Sequence, residues 1–389
     1  MYRLEGAVRR YPWGSTTLVQ QLLDQPVDGR PIAEVWMGAH PDDPSVAGGG
    51  GRWTPLDELV AARPEAMLGP RALTRTGPRL PYLAKILAAS RALSIQVHPT
   101  AVQAEAGFAA EEERGVSLDD PARTYRDRSD KPELVYALTP FELLSGLREP
   151  EQSAKLVAEL AVPALDPLIG LLRGGGPDAQ RGALTWLLRQ RDTVAAWVGE
   201  AARSARDAIG ARPELAIVHR LAQQFPGDPG LLAPLLLNHE RLEPGQALYT
   251  APGTLHAYLS GMAIEVMASS DNVLRAGLTT KHVDVDEVLA ITDFTPRLTG
   301  FLRPVRLTPG VVDFTAPVDG LGLSVVTPRA GEDLPGPVDG PRVVVCVEGE
   351  VEVAAGDVQR LLPGQAVFVP HVDGAMTVSG NGTAVVAHA

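Results

Sequence analysis

The segment Ala92–Thr100, ALSIQVHPT, is an apolar run in which polar side chains appear at alternating positions. Successive side chains of a strand point to opposite faces, so Ser94, Gln96 and His98 would share one face and the aliphatic residues between them the other. A glutamine and a histidine on one strand face are two potential metal ligands. Because Gln-x-His also occurs by chance, the segment predicts a metal site only if other elements supply further ligands.

A carboxylate with metal-ligating chemistry follows in DRSDKPELVYAL, residues 127–138. Pro132 favours extended backbone on both of its sides, and the apolar residues that follow continue a strand. Glu133 therefore lies at the start of an apolar strand, where an unpaired carboxylate would be costly to bury. A bound cation would remove that cost.

A second histidine follows a Pro-Gly turn in APGTLHAYLSG, residues 251–261, where His256 begins another apolar strand. Gln96, His98, Glu133 and His256 together form a nitrogen and oxygen ligand set that suits Zn²⁺ and would also accept Mn²⁺ or Co²⁺. One carboxylate and three neutral ligands leave a divalent ion with net positive charge. Such an ion keeps its Lewis acidity and attracts an anionic, oxygen-rich substrate.

A polar and cationic segment, SSDNVLRAGLTTK, spans residues 269–281. Asp271 and Asn272 lie in a predicted turn, and Arg275 and Lys281 supply positive charge. A solvated charged loop is the simpler interpretation. Its closeness in sequence to His256 favours a functional one.

The composition restricts the class of protein. The 389 residues can form two or three domains, and 45% hydrophobic residues predict a globular fold. A net charge of −12 and a sequence pI near 5.2 argue against general nucleic-acid binding and against attraction to anionic membranes. The single cysteine, Cys346, excludes disulfides within the chain and a cysteine-based zinc site. Without a predicted signal peptide or membrane span, we expect a soluble cytoplasmic protein.

The pattern along the chain changes twice. Short strands and turns are predicted up to about residue 100, followed by a helix over Thr100–Gly115 with Thr100 as its cap. Apolar spacings of three and four predict a helical insertion over 150–238, in which the Gly-rich residues 173–182 are predicted to be a loop. Strands return after 238. There LEPGQALYTAPGTLH and LLPGQAVFVPH form a weak internal repeat that predicts two related β units.

These motifs together resemble a known family. LSIQVHP, DKPE, PGTLHAY and EVMASSDNVLRAGLTTKHVDV, with the N-terminal YPWGS and AEVWMGAHP, strongly resemble class I mannose-6-phosphate isomerases, also called phosphomannose isomerases. The resemblance implies a mainly β protein with a cupin/jelly-roll catalytic domain (residues 1–149 and 239–295). It further implies an α-helical insertion (150–238) and a C-terminal jelly-roll domain (296–389). It also implies one zinc per chain, held by the residues matching Gln96, His98, Glu133 and His256. We expect a monomer, although no sequence feature determines the oligomeric state.

The resemblance implies the reversible interconversion of D-mannose 6-phosphate and D-fructose 6-phosphate through a cis-enediol. A proton then moves between C1 and C2 while negative charge develops on the adjacent oxygen, which requires an acid/base group and an electrophile. Arg275, with the metal, would stabilise the enediolate. The candidate proton carriers are Lys131, Glu265 and Lys281. The candidate substrate contacts are Trp13, Lys85, Ser94 and Asp271, with the phosphate meeting Ser94 and either Lys85 or Lys281.

One position departs from the family pattern. Many bacterial relatives have Asn-His-Lys-Pro-Glu where this chain has Ser-Asp-Lys-Pro-Glu, so Asp130 replaces a histidine often considered for proton transfer. Either that histidine is dispensable, or this chain differs in rate or pH optimum. His371, at the repeat position that matches His256, is predicted to be structural because no further ligands accompany it.

Alternative functions remain open at this point. An isomerase with another epimer preference would have the same ligands. A non-catalytic sugar-phosphate-binding cupin would be indicated by loss of Arg275, Lys131 or one metal ligand, and none is lost. A metal-dependent oxygenase is disfavoured because Gln96 occupies the place where a second histidine is usual.

Overall fold

The computed structural model describes residues 1–49, 51–190, 195–207, 212–297 and 300–389. Its strands form two eleven-stranded sheets, and every strand pairing among the described residues is antiparallel. Helices connect and cover the sheets. The predicted mainly β class with a helical block is therefore confirmed.

The α-helices lie mostly in the middle of the chain. In chain order they are α1 Leu18–Leu22, α2 Leu56–Ala62, α3 Pro64–Thr76, α4 Ala101–Glu113, α5 Pro150–Glu159, α6 Asp166–Leu172, α7 Gly176–Arg189, α8 Ala195–Asp207, α9 Pro213–Gln224 and α10 Val285–Ile291. Short 3-10 helices span Pro163–Leu165, Pro229–Leu235 and His371–Asp373. None of the helices described is long and apolar enough to cross a membrane.

Two sequence predictions about helices have different outcomes. The helix after Thr100 is confirmed, since Thr100 and Gln103 form a reciprocal capping box at the start of α4. The predicted loop over 173–182 is wrong for most of its length, because α7 already begins at Gly176. Pro177 falls in the first turn, where a helix needs no N–H donor, so the proline is compatible with a helix start.

The first sheet combines the C-terminal strands with three strands from the N-terminal part of the chain. Numbered in chain order across both sheets, its members are β1 Tyr2–Glu5, β4 Val46–Gly49, β5 Arg52–Pro55, β15 Val305–Thr308, β16 Val311–Thr315, β17 Gly322–Val326, β18 Leu334–Pro335, β19 Arg342–Ala355, β20 Asp357–Leu361, β21 Ala366–Val369 and β22 Thr377–His388. Strand β1 lies between β21 and β4, with Tyr2 opposite Phe368 and Arg3 opposite Gly48. The sheets thus do not follow chain order, and the predicted domain boundaries stay a prediction.

The second sheet carries the candidate ligands. Its members are β2 Ala7–Arg9, β3 Glu34–Met37, β6 Tyr82–Ala89, β7 Ile95–Val97, β8 Glu133–Ala137, β9 Phe141–Leu147, β10 Leu237–Leu242, β11 Ala247–Thr250, β12 His256–Ala268, β13 Leu274–Gly277 and β14 Phe301–Leu302. The apolar face of β7 is fully buried, and Ile95 and Val97 belong to one core with the helical residues Leu184, Leu187 and Leu215. The helical insertion therefore packs behind the strand whose polar face carries Gln96.

Strand β12 changes partners at its middle. Its first residues pair with β7 and β9, whereas the residues from Gly261 onward pair with β6 and β8. Gly261 has φ 109°, and a Cβ there would lie 2.4 Å from the carbonyl oxygen of Pro140. Only glycine fits this close approach in a left-handed conformation. The change of partners brings the ends of β7, β8 and β12 together at one place.

Candidate metal centre and substrate cavity

Three predicted ligands meet where these strands converge. The Nε2 atom of His98 lies 3.1 Å from Oε1 of Glu133, and Nε2 of His256 lies 3.2 Å from Oε2 of the same carboxylate. The ligand atoms of all three residues lie within 4.8 Å of one another. All three side chains are buried, so water does not solvate this carboxylate freely.

The second nitrogen of each ring defines its tautomer. Nδ1 of His98 lies 2.6 Å from the carbonyl oxygen of Asn272, and Nδ1 of His256 lies 3.0 Å from that of Thr254. A carbonyl oxygen only accepts, so each Nδ1 carries the hydrogen and a neutral ring presents an Nε2 lone pair. Both lone pairs face carboxylate oxygens, which are also acceptors. A cation between them would satisfy all four atoms.

The pKa values of the two histidines and Glu133 depend on one another and on burial. Burial lowers the pKa of His98 to about 4, against the attraction of Glu133. Burial raises the pKa of Glu133, but the two histidines outweigh it and hold that pKa well below its usual value. Burial lowers the pKa of His256, and here the hydrogen bond and charge of Glu133 outweigh it and raise the pKa. The buried Nε2 of His98 has no hydrogen-bond partner among the described residues, so the donor set fits a divalent metal ion.

Gln96, the fourth predicted ligand, lies on β7. It lies directly opposite His256 on β12, and its side-chain nitrogen donates to Ser94 Oγ at 3.2 Å. That bond occupies the nitrogen, and the amide oxygen is the atom able to ligate a cation. Tyr258 donates to Oε2 of Glu133 at 3.2 Å and so orients the carboxylate.

A cavity of about 650 Å³ opens onto this centre. The predicted site residues that line it are Trp13, Lys85, Ser94, Gln96, Lys131, Glu133, His256, Glu265, Asp271, Arg275 and Lys281. His98 does not line the cavity and reaches it through its contact with Glu133. The structure therefore brings together the complete set of residues that the sequence predicts.

Lys85 is held as an ammonium on one wall. Its Nζ lies 3.0 Å from Oε2 of Glu265 and 3.4 Å from Oε1 of Glu34, and 5.4 Å from the centroid of the Trp36 ring. Burial lowers the pKa of Lys85, but the two carboxylates outweigh it and raise the pKa. Burial raises the pKa of Glu265 against the pull of Lys85. Lys85 is thus a buried positive charge between two carboxylates, and the pKa of Glu265 is raised above its usual value.

Positive charge accumulates at another part of the wall. Burial lowers the pKa of Arg275, and the neighbouring cation Arg126 lowers it further. Burial likewise lowers the pKa of Lys281, with Arg275 and Arg126 adding to the effect. Clustered cations that depress one another's pKa are suited to an anion such as a phosphate.

The sequence did not indicate the groups that support these side chains. Glu34 and Trp36 are two residues apart in AEVWMGAH, and this spacing is the one sequence signal that both side chains lie on the same face of a strand. Asn272 could not be assigned a role because its contacts come from a distant segment. It is fully buried, its Oδ1 accepts from the backbone N–H of Arg126 at 2.7 Å, and its Nδ2 donates to the carbonyl of Asp127 at 2.8 Å.

A second group of possible metal ligands comprises His40, Asp42 and Asp271. Nδ1 of His40 accepts from the backbone N–H of Asp42 at 3.3 Å, so the hydrogen of this ring is on Nε2. Nε2 lies 3.3 Å from Oδ2 of Asp271 and donates to it. His40 therefore holds Asp271 in place and does not offer a lone pair to a metal.

Two further positions were named from the sequence. Asp130 does not line the cavity; burial raises its pKa against the attraction of Arg75. The replacement of the family histidine thus introduces no carboxylate at the cavity wall. His371 also does not line the cavity, and its Nδ1 accepts from the backbone N–H of Gly340 at 3.3 Å. Its contacts are those of a packing residue.

Comparisons with known proteins cover the whole chain. The family model described as phosphomannose isomerase type I, catalytic domain, matches residues 1–150. The mannose-6-phosphate isomerase of Salmonella typhimurium is 36% identical over 388 residues, which are 98% of each chain. That of Escherichia coli is 36% identical over 392 residues, again 98% of each chain. Mannose-6-phosphate isomerase 2 of Arabidopsis thaliana is 31% identical over 95% of this chain and 88% of its own length.

Solved structures agree over the same extent. The Salmonella typhimurium mannose 6-phosphate isomerase bound to fructose 6-phosphate and zinc superposes with a TM-score of 0.91 at 34% identity, covering 100% of this chain and 99% of that one. A zinc-bound mannose 6-phosphate isomerase has a TM-score of 0.91 at 33% identity and covers 100% and 98%. The similarity therefore includes both sheets and the helical insertion.

Proposed function

Because this chain belongs to the type I phosphomannose isomerase family, a family of enzymes, we propose that it interconverts D-mannose 6-phosphate and D-fructose 6-phosphate through a cis-enediol. The observation that carries the proposal is the pair of histidine Nε2 atoms facing one buried carboxylate, 3.1 and 3.2 Å away, at the wall of a cavity with a cationic side. A metal-assisted reaction of a small anion needs a metal site and, beside it, positive charge that binds the anion.

The metal in this proposal is one zinc ion per chain. His98, Glu133 and His256 would hold it, with Gln96 as the fourth ligand from the neighbouring strand. The ion supplies Lewis acidity to the substrate oxygens when it is bound. Two mannose 6-phosphate isomerases with solved structures are zinc-bound, and the nitrogen and oxygen donor set of this chain fits the same ion.

Arg275 and Lys281 bind the negative charge of the substrate in this proposal. Arg275 lies opposite Gln96 in the pairing of β7 and β13, and so it is adjacent to the ligand set. Its guanidinium stays charged at any working pH and is positioned for the oxygen on which negative charge develops. Lys281, farther along the same segment, would bind the phosphate together with Ser94.

Proton transfer between C1 and C2 falls to side chains near the ligands. Lys131 Nζ lies 3.6 Å from Oε1 of Glu133. Glu265 on β12 lies directly opposite Lys85 on β6, so the two side chains share one face of the sheet. With the phosphate at the cationic wall formed by Arg275 and Lys281, C1 and C2 of the substrate would lie toward Lys131 and Glu265. We therefore assign the transfer to Lys131 and Glu265, and we assign Lys281 to substrate binding. Trp13 and Asp271 line the same cavity as contacts for the sugar.

The finer description of the fold belongs to the same proposal. The change of partners along β12 supports a cupin-type barrel for the catalytic domain, and the eleven-stranded first sheet supports a jelly roll at the C-terminus. The monomeric state and the cytoplasmic location rest on the sequence alone and stay predictions.

A coupled assay with mannose 6-phosphate, before and after chelation, tests the proposed function. We expect turnover that disappears on removal of the metal and returns on addition of zinc. Elemental analysis should give about one divalent metal per chain for the four-ligand set. Absence of turnover with the zinc-loaded protein, or an active preparation without metal, would contradict the proposal.

A further inference from the structure

Asp228 connects the helical insertion to the cavity wall. It follows α9 and precedes the 3-10 helix Pro229–Leu235, where its Oδ1 accepts from the backbone N–H of Gly230 at 2.7 Å. Its other oxygen, Oδ2, accepts from the backbone N–H of Thr279 at 3.1 Å. One half-buried carboxylate thus joins two chain segments that are about fifty residues apart in sequence.

The two segments approach each other as closely as backbones allow. A Cβ added to Gly230 would lie 2.8 Å from the Cα of Gly277. Gly277 has φ 145°, and the next residue, Leu278, has φ 54°, a left-handed conformation that a side chain disfavours. Such a conformation persists only where the surroundings hold it. The bond from Asp228 to the following residue, Thr279, is one of the contacts that hold it.

The segment held in this way, residues 278–281, forms part of the cationic wall of the cavity. Leu278, Thr279, Thr280 and Lys281 all line the cavity beside Arg275. Within the turn, the backbone N–H of Lys281 donates to Oγ1 of Thr279 at 3.1 Å. Asp228 itself does not line the cavity. Any effect of Asp228 on a ligand must therefore act through the Thr279–Lys281 turn.

We propose that Asp228 is a positioning residue that fixes the Thr279–Lys281 turn and thereby sets the affinity of the cavity for the phosphate group of the substrate. The proposal rests on the proposed function for the nature of that substrate. Hydroxyl and ammonium donors bind a phosphate tightly only when they are held in place before it arrives. The helical insertion, through Asp228, supplies that constraint.

Three variants test this role. Asp228→Asn keeps the shape of the side chain but turns one acceptor into a donor, so it can satisfy Gly230 or Thr279 and not both. Asp228→Ala removes both bonds. Asp166→Asn, at an exposed position in the first turn of α6, removes the same charge from the helical insertion without touching the cavity and serves as the control.

The measurements are steady-state kinetics on mannose 6-phosphate, competitive inhibition by inorganic phosphate, and zinc content. For Asp228→Asn we expect KM and the inhibition constant of phosphate to rise together by about tenfold, the equivalent of one lost charge-assisted hydrogen bond. We expect kcat within about twofold of wild type, since the groups at C1 and C2 are unaffected. Zinc content should be unchanged, and Asp166→Asn should behave as wild type.

Calorimetric titration with inorganic phosphate separates this proposal from the proposed function, because it needs no turnover. If the wild-type chain did not isomerise mannose 6-phosphate, weaker phosphate binding by Asp228→Asn than by wild type would still support the positioning role. Equal phosphate affinity in the two proteins would overturn it, as would a fall in kcat at unchanged KM. Should Asp228→Ala fail to fold, Asp228→Asn decides alone.

Discussion

Arg275 lies directly opposite Gln96, in the antiparallel pairing of β13 with β7. On its other side Gln96 lies opposite His256 of β12, so a cation, an amide and an imidazole occupy neighbouring strands at one level of the sheet. Adjacent strands lie about 4.8 Å apart. The backbone of Arg275 is therefore one strand away from Gln96, next to the predicted ligand set, as its proposed role in stabilising the enediolate requires.

Replacing Arg275 should affect catalysis more than binding. We expect Arg275→Ala to lower kcat by about 10²–10³-fold, the range for loss of a preorganised oxyanion donor, with zinc content near wild type. Arg275→Lys should recover little, since an ammonium does not reproduce the fork of donors. Arg241→Ala, an exposed arginine paired with Glu243, is the control and should change neither parameter. A rise in KM at nearly constant kcat would instead show that Arg275 grips the phosphate.

Removing the charge of Glu133 should weaken metal retention. In Glu133→Gln the cation would face neutral ligands only, and we expect its dissociation constant to rise at least about tenfold, or about 1.4 kcal/mol. Competition with a chelator, followed by elemental analysis, measures the effect. His371→Ala, which alters a histidine outside the cavity, should retain zinc and turnover. Unchanged zinc affinity in Glu133→Gln would remove Glu133 from the ligand set.

The ligand set could be predicted because strand alternation and short motifs contain it. Gln96 and His98 lie two residues apart, and Glu133 and His256 each begin an apolar strand. The partners of those residues could not be predicted, because they come from tertiary contacts. Neither local periodicity nor charge indicates that Asp228 would meet Thr279.

The limits of the fold prediction have the same cause. Apolar spacing located the helical insertion, and Thr100 marked the start of α4. The composition of the Gly-rich segment favours a loop, whereas Pro177 is compatible with the first turn of α7. The pairing of β1 with β21 joins residues more than 360 positions apart, and the hydrophobic pattern of a strand specifies its buried face but not its neighbour.

Asp130→His, which introduces the histidine that the family resemblance implies at this position, should leave the reaction almost unchanged. Asp130 does not line the cavity, and its pKa is raised by burial. We expect kcat within about threefold of wild type and the same pH optimum, since no proton carrier near C1 or C2 is altered. A pH–rate profile of both proteins checks this. A shifted optimum in the variant would indicate that position 130 takes part in proton transfer.

The anchoring of the helical insertion should depend on pH through Glu142. Its Oε1 lies 2.7 Å from Nε2 of His239, and its Oε2 lies 2.7 Å from Nη1 of Arg220 on α9. Burial raises the pKa of Glu142, but these two partners outweigh it and lower the pKa to about 2. A carboxylate with a lowered pKa stabilises the fold above its unfolded pKa, and this contribution is lost as the pH falls toward 2.

Glu142→Gln tests that contribution. We expect the variant to lose about 1–2 kcal/mol of unfolding free energy at pH 7, since solvent screens this partly exposed ion pair, and to lose less than wild type on acidification. Denaturant unfolding at pH 7 and at pH 3 measures both quantities. Glu240→Gln, which removes the same charge from the neighbouring strand β10 opposite Leu143, is the control. A variant as stable as wild type at pH 7 would show that Glu142 does not anchor the insertion.

Asn272 should matter for metal binding without touching the metal. Its backbone oxygen accepts from Nδ1 of His98, and its side chain bonds the backbone of Arg126, Asp127 and Ser129. Asn272→Ala keeps the carbonyl but removes the partner of several partly buried backbone groups, at up to about 1 kcal/mol for each. We expect a less stable protein whose zinc affinity falls about 10–100-fold, the usual effect of losing an outer-shell partner.

Two controls separate orientation of His98 from general loss of stability. Ser324→Ala removes another buried polar side chain, in β17 of the first sheet, together with its hydrogen bond to Oδ1 of Asp313 at 2.7 Å, and should lower stability without lowering zinc affinity. Asn272→Asp keeps the acceptor for Arg126 and replaces the amide donor, so it should lie between wild type and Asn272→Ala. Zinc affinity, measured by chelator competition under conditions where each variant is folded, gives the comparison. If Asn272→Ala held zinc as tightly as wild type, the carbonyl of residue 272 would orient His98 without help from its side chain.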